Sequence, residues 1–104
     1  MELSAAARAR AIAPVLKALS DENRLTILLA IADRDSSVTE LSRFTGLSQP
    51  LVSHHLKYLR DTGLVAATPV GRSNVYSLCC SAFNETISAL SGLAALTTDP
   101  KEQR

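Results

Sequence analysis

The chain has 104 residues, with 11 Lys and Arg against 10 Asp and Glu and a net charge of +1. That length predicts a single domain, and that balance excludes a protein that grips polyanions through bulk charge. Hydrophobic residues make up 46% and aromatics 4%, so a core built mainly from Leu, Ala, Val and Ile is expected, modest enough that a dimer would add stability.

In chain order, residues 4–19 are Ala-rich, with Ile12, Val15, Leu16 and Leu19 at helical spacing. Pro14 interrupts them, so the helix is expected to begin or kink near it. Residues 1–12 are expected as a flexible arm. Ser20 is expected to cap a second helix, with Asp21 and Glu22 in its first turn. Leu25, Leu28, Leu29 and Ala32 are expected as its core stripe, widened by Ile27 and Ile31, with a stop around Asp33 to Asp35. Ser37-Val38-Thr39-Glu40 has the form of a capping box, which starts a third helix running to about Thr45.

Gly46 suits the left-handed backbone that ends a helix. Ser48 can cap the next one, and Pro50 is tolerated in a first turn whose donors are unpaired anyway. A fourth helix is predicted from about Gln49 to Asp61, ended by Gly63. Ser42, before the turn, and Val52, after it, are small enough for the two helices to cross closely. This is the layout of a helix-turn-helix, whose second helix enters the DNA major groove.

Leu64–Val70, Gly71-Arg72-Ser73 and Asn74–Leu78 read as a β-hairpin, a wing beside the helix-turn-helix. A last helix is predicted over about Ser81 to Leu96, with Phe83, Ile87, Leu90 and Ala94 on one face. Residues 97–104 contain Pro100 and are expected as a flexible tail. The expected fold is therefore mainly α with a small β-hairpin. It is a winged helix-turn-helix of about five helices and a two-stranded wing, occupying residues 13–96.

Projecting the fourth helix at 100° per residue puts Val52, Leu56 and Leu59 on a core face. Pro50, Ser53, His54 and Lys57 fall on the other face, with Ser48 and Gln49 at the exposed end. Gln49 can pair with adenine through its amide, and Ser53 and His54 can reach bases or phosphates. Lys57, Arg60 and Arg72 are candidates for phosphate contacts. Arg72, beside Gly71 at the wing tip, is placed to enter a minor groove. His54 and His55 are adjacent, so they point about 100° apart and do not readily share a metal. His55 is expected as a packing residue at the core margin.

Three motifs resemble the ArsR/SmtB family of bacterial repressors. Ala18-Leu19-Ser20-Asp21-Glu22-Asn23-Arg24-Leu25-Thr26-Ile27-Leu28 is similar to its opening pattern, Leu47–Val65 looks like its recognition-helix signature, and Gly71–Leu78 resembles its wing. The resemblance covers about residues 15–96. It implies a homodimer joined through its first and last helices, acting on a double-stranded DNA operator, usually as a repressor that an inducer releases. Val15, Leu16, Phe83, Ile87, Leu90 and Ala94 are the expected interface. It also implies DNA contacts at Gln49, Ser53 and His54.

Sensors of the family that respond to arsenic or cadmium carry a Cys-x-Cys cluster in the third helix, where Ser36 to Leu41 has no cysteine. Those that respond to zinc, cobalt or nickel carry histidines on the last helix, which here has none and has Glu85 as its only carboxylate. No metal site and no cofactor are therefore expected. Cys79 and Cys80 are adjacent, which is not an ordinary disulfide framework. They stand open between small buried hydrophobes and a thiol or metalloid sensor. Control by a partner protein is the other alternative. The chain has no Ser/His/Asp set, no paired carboxylates and no glycine-rich phosphate loop, so an enzyme is not expected. No signal peptide is read and no apolar run approaches a membrane span, so the expected place is the cytoplasm, with no membrane partner.

Overall fold

The computed structural model describes residues 4–97, the side chain of Cys80 excepted. Helix α1 spans Ala5–Leu19 and α2 spans Glu22–Asp33. A two-residue strand β1 (Ser36–Ser37) leads into α3 (Val38–Thr45), and α4 (Gln49–Asp61) follows. Strands β2 (Val65–Val70) and β3 (Ser73–Leu78) precede α5 (Cys80–Leu96). The expected class of fold is present, with a third strand that was not anticipated.

The start of α1 is a correction. Ser4 caps it, its hydroxyl accepting from the Ala7 N–H at 3.1 Å, and the helix continues past Pro14 to Leu19. A proline removes one donor and leaves the carbonyl four residues earlier unpaired. Here that carbonyl belongs to Arg10, and both residues are exposed, so water can take the lost bond. Residues 5–12, expected as an arm, are thus the first turns of α1, while residues 1–3 lie outside the described part. Of the expected tail, residues 98–104 also lie outside it.

The cap of α2 is a second correction. Asp21, not Ser20, accepts from the Arg24 N–H at 3.0 Å. Ser20 instead closes α1, donating its hydroxyl to the Lys17 carbonyl at 2.7 Å. The core face of α2 also differs. Ile27, Leu28 and Ile31 are buried, whereas Leu25, Leu29 and Ala32 are exposed. Both sets repeat at helical spacing, so periodicity alone cannot choose between them. The elements packed against α2 make the choice, and half-buried Arg24 lies on the same side, its Nε donating to the Ala18 carbonyl at 2.8 Å. Ile27, Leu28 and Ile31 follow it at i+3, i+4 and i+7.

The other caps agree with the sequence. Ser37 and Glu40 form the capping box, with the Glu40 N–H donating to Ser37 Oγ at 3.2 Å and the Ser37 N–H to Glu40 Oε1 at 3.0 Å. Gly46 has φ 77° at the end of α3. Past α4, Gly63 has φ 82°, its N–H donating to the Arg60 carbonyl while the Leu64 N–H donates to that of Leu59, both at 2.9 Å. That pair of bonds is the Schellman arrangement, and it folds Leu64 back onto the core.

The sheet is antiparallel in the order β1-β3-β2. Val70 pairs with Ser73 across Gly71-Arg72, and of these two turn residues only Gly71 has positive φ, as the first central residue of a type II′ turn requires. Pro69 is tolerated because β2 is an edge strand. On the far side of β3, Ser36 pairs with Tyr76 and Ser37 with Val75. Leu41, Val52, Leu56, Leu59 and Leu64 fill the space between these helices and the sheet. Burial of each such leucine contributes roughly 1.5–3 kcal/mol.

Candidate nucleic-acid interface

The turn between α3 and α4 is stitched by side chains. Ser42 Oγ donates to the Leu47 carbonyl at 2.6 Å, and Thr45 Oγ1 donates to the Leu41 carbonyl at 2.7 Å while accepting the Leu47 N–H at 3.2 Å. Ser42 therefore does more than allow a close crossing. Its bond holds the chain where Ser48 begins α4, and Ser48 Oγ then accepts the Leu51 N–H at 3.3 Å.

This anchors α4 with one face committed inward, for Val52, His55, Leu56 and Leu59 are buried. Ser48, Gln49, Pro50, Ser53, His54, Lys57 and Arg60 are all exposed. The structure brings six of them together along α4 with Ser48 at its cap, and sets Arg72 apart at the exposed tip of the hairpin. Lys57 is not a free cation: its Nζ lies 3.0 Å from Asp61 Oδ2, one helical turn on. Sequence reasoning missed Asp61, although the i,i+4 spacing of opposite charges signals it.

His55 packs inward, only 7% exposed, and neither ring nitrogen has a hydrogen-bond partner among the described residues. Its Nε2 lies 4.0 Å from Asp21 Oδ2 at the start of α2. Burial pushes the imidazole below the usual histidine range, and the Asp21 charge opposes this only in part. Asp21 itself is held low, first by the Arg24 backbone N–H. The His54 and His55 rings are tilted 60° apart with centroids at 5.5 Å. Among the described residues no three His, Cys, Asp or Glu side chains are grouped to hold a metal ion.

Cys79 is half-buried at the N-cap of α5 and makes no side-chain capping bond there. Cys80 opens the helix, and its side chain lies outside the described part. Of the six expected interface residues, Val15 is buried in the chain's own core. Phe83 packs against that core and Leu16 is half-buried. Ile87, Leu90 and Ala94 are exposed along α5. Leu93, which the sequence reading left out, joins them at 60% exposure. Ala5, Ala9, Ile12, Ala89 and Leu93 line an open groove between α1 and α5, with Arg8 and Glu85 at its edges.

A family model described as the bacterial regulatory protein, arsR family, matches residues 21–67. The chain is 43% identical over 67 residues to the HTH-type transcriptional regulator NmtR of Mycobacterium tuberculosis, a match that covers 64% of this chain and 56% of that protein. It thus spans little more than half of that relative's length. It is 38% identical over 85 residues to the HTH-type transcriptional regulator YgaV of Escherichia coli, covering 81% of this chain and 86% of that one. The solved structure of an ArsR-like transcriptional regulator from Rhodococcus sp. RHA1 superposes with a TM-score of 0.80 at 30% identity, over 88% of this chain and 84% of that one.

Proposed function

The chain belongs to the ArsR family of bacterial regulatory proteins, and on that premise we propose that it is a sequence-specific DNA-binding regulator of transcription, a cytoplasmic repressor that acts as a homodimer. One observation carries the reading. Helix α4 buries one face completely and leaves Gln49, Ser53, His54 and Lys57 as a continuous exposed face. Side chains of that set on a helix begun by a stitched turn are suited to base edges and phosphates.

Two features support the dimer. The chain is flat and long, 56 × 36 × 19 Å with a radius of gyration of 16.7 Å, where a compact chain of this length has about 13 Å. The excess length comes with exposed apolar residues on α5, Ile87 at 55% and Leu93 at 60%. A second copy over α1 and α5 would bury that stripe and set two α4 helices against successive major grooves, roughly 34 Å apart. No helix among the described residues is long and apolar enough to cross a membrane.

The test is selection of duplexes from a random-sequence pool by the purified full chain, followed by footprinting. Enrichment of an inverted repeat with both half-sites protected is the expected result. A pool that remains random after several rounds would rule out sequence-specific operator binding.

A further inference from the structure

Between α4 and the wing lies a notch of about 300 Å³ lined by Ser53, Lys57, Arg60, Asp61 and Tyr76. Tyr76 is 7% exposed, its ring held in the core beneath the sheet. Its hydroxyl is not among the buried unpaired atoms, and no hydrogen bond to another described residue is made by it. The notch therefore brings a core-held tyrosine, which also lines a smaller cleft beside Ser37 and Asn74, together with a serine hydroxyl and two cations. One carboxylate, Asp61, is also present, and its Oδ2 holds Lys57 Nζ at 3.0 Å.

We propose that this notch seats one phosphate of the DNA backbone, that the Tyr76 hydroxyl donates to it, and that Asp61 is a stand-in anion that holds Lys57 until the phosphate takes its place. The proposal rests on the DNA-binding reading and deepens it. In a winged helix docked with α4 in the major groove and the hairpin over the next minor groove, the strand that separates the two grooves passes between α4 and the wing. Its phosphates are the only groups of DNA that reach so far from the base edges. A phosphodiester has one negative charge and only acceptor oxygens, and the notch offers it a neutral donor fixed by a buried ring and two mobile cations.

Asp61 gives the arrangement its particular behaviour. Both Lys57 and Asp61 are mostly exposed, and exposed pairs of this kind are weak. Lys57 can therefore exchange the carboxylate for a phosphate at little cost. The carboxylate itself repels the incoming anion, so Asp61 holds the affinity for every sequence below what the cations would otherwise supply.

The experiment uses the full chain and a duplex selected from a random pool, with binding measured over a range of salt. Tyr76→Phe keeps the ring and is expected to weaken binding to all sequences alike, by roughly tenfold, the scale of one hydrogen bond to a charged acceptor. Its salt dependence should be unchanged, since no cation is lost. Ethylation of one phosphate in each half-site should interfere with the wild type, and interfere less for Tyr76→Phe, in which only Lys57 and Arg60 still meet that phosphate. Asp61→Asn, on an exposed position that places no demand on folding, should bind all sequences several-fold more tightly. Equal affinity for Tyr76→Phe, with ethylation interference as strong as in the wild type, would overturn the seat, as would a change of sequence preference in place of a uniform loss. No gain with Asp61→Asn would overturn the stand-in role even if Tyr76→Phe failed to fold. A wild type that selects no duplex sinks the DNA-binding reading itself, which is a distinct result from a wild type that binds while the two variants behave like it.

Discussion

The guanidinium of Arg24 lies 4.1 Å from the ring centroid of Tyr58, which joins the first turn of α2 to the last turn of α4. The same side chain donates from Nε to the Ala18 carbonyl at 2.8 Å and from Nη2 to the Lys17 carbonyl at 3.1 Å. One arginine thus ties together the end of α1, the start of α2 and the helix proposed to read DNA. It adds to the bonds at the end of α1, where the Lys17 carbonyl also accepts from Ser20.

Arg24→Ala should cost roughly 2 kcal/mol of stability, from charged hydrogen bonds and a cation–π contact that are only partly screened. Arg24→Lys should recover little of it, because an ammonium cannot reproduce the planar fork that reaches two carbonyls while stacking on a ring. Urea unfolding of the three proteins checks this. Wild-type stability in Arg24→Lys would show that charge alone matters there.

His55 makes stability depend on pH in the mildly acidic range. Its folded pKa is lowered by burial, so the unfolded chain binds the proton more readily and stability falls as pH drops. The contribution is fully present above the unfolded value near 6.5 and is lost as pH falls from there toward the folded value. Facing it are Asp21, Arg24 and His54, of which only Asp21 favours the charged ring. Asp21→Asn should therefore lower the folded pKa further and steepen the loss below neutrality, while His55→Gln should flatten it. Denaturant midpoints between pH 5 and 7.5 decide this, and a profile equally steep in His55→Gln would assign the effect to other groups.

Gln49→Ala should cost roughly 1–3 kcal/mol of discrimination between operator and altered duplexes if its amide pairs with a base. Lys57→Ala should weaken all sequences alike and lower the salt slope by about one unit. Competition binding against single-base variants of the selected duplex distinguishes the two behaviours. An unchanged preference in Gln49→Ala would mean that the exposed end of α4 is oriented differently on DNA.

Glutamate at Ile87 and Leu93 should give a folded monomer that binds DNA far more weakly, because each charge would have to be buried against the partner. Light scattering at micromolar concentration is expected to return two chains for the wild type and one for the double variant. A single chain for the wild type at high concentration would remove the dimer.

What the sequence by itself determined is set by short-range bonds. Ser37 with Glu40, Ser48 with Leu51, and Gly46 and Gly63 at left-handed positions each act over a few residues, so the turn and the bounds of α4 can be read directly from residue type. The face of α4 follows as well, since only one side of it carries Val52, Leu56 and Leu59. Tertiary structure decided the rest, wherever neighbouring choices were locally equivalent. Ser20 and Asp21 are both good caps, and Arg24 reaching the end of α1 selects the second. Leucines and isoleucines line α2 on several sides, and which of them are buried depends on the elements packed against it. Strand β1 has two residues and exists only because β3 passes beside it. The notch at Tyr76 joins residues of α4 and β3, and no local pattern could place it, because the distance between them is set by packing of the core.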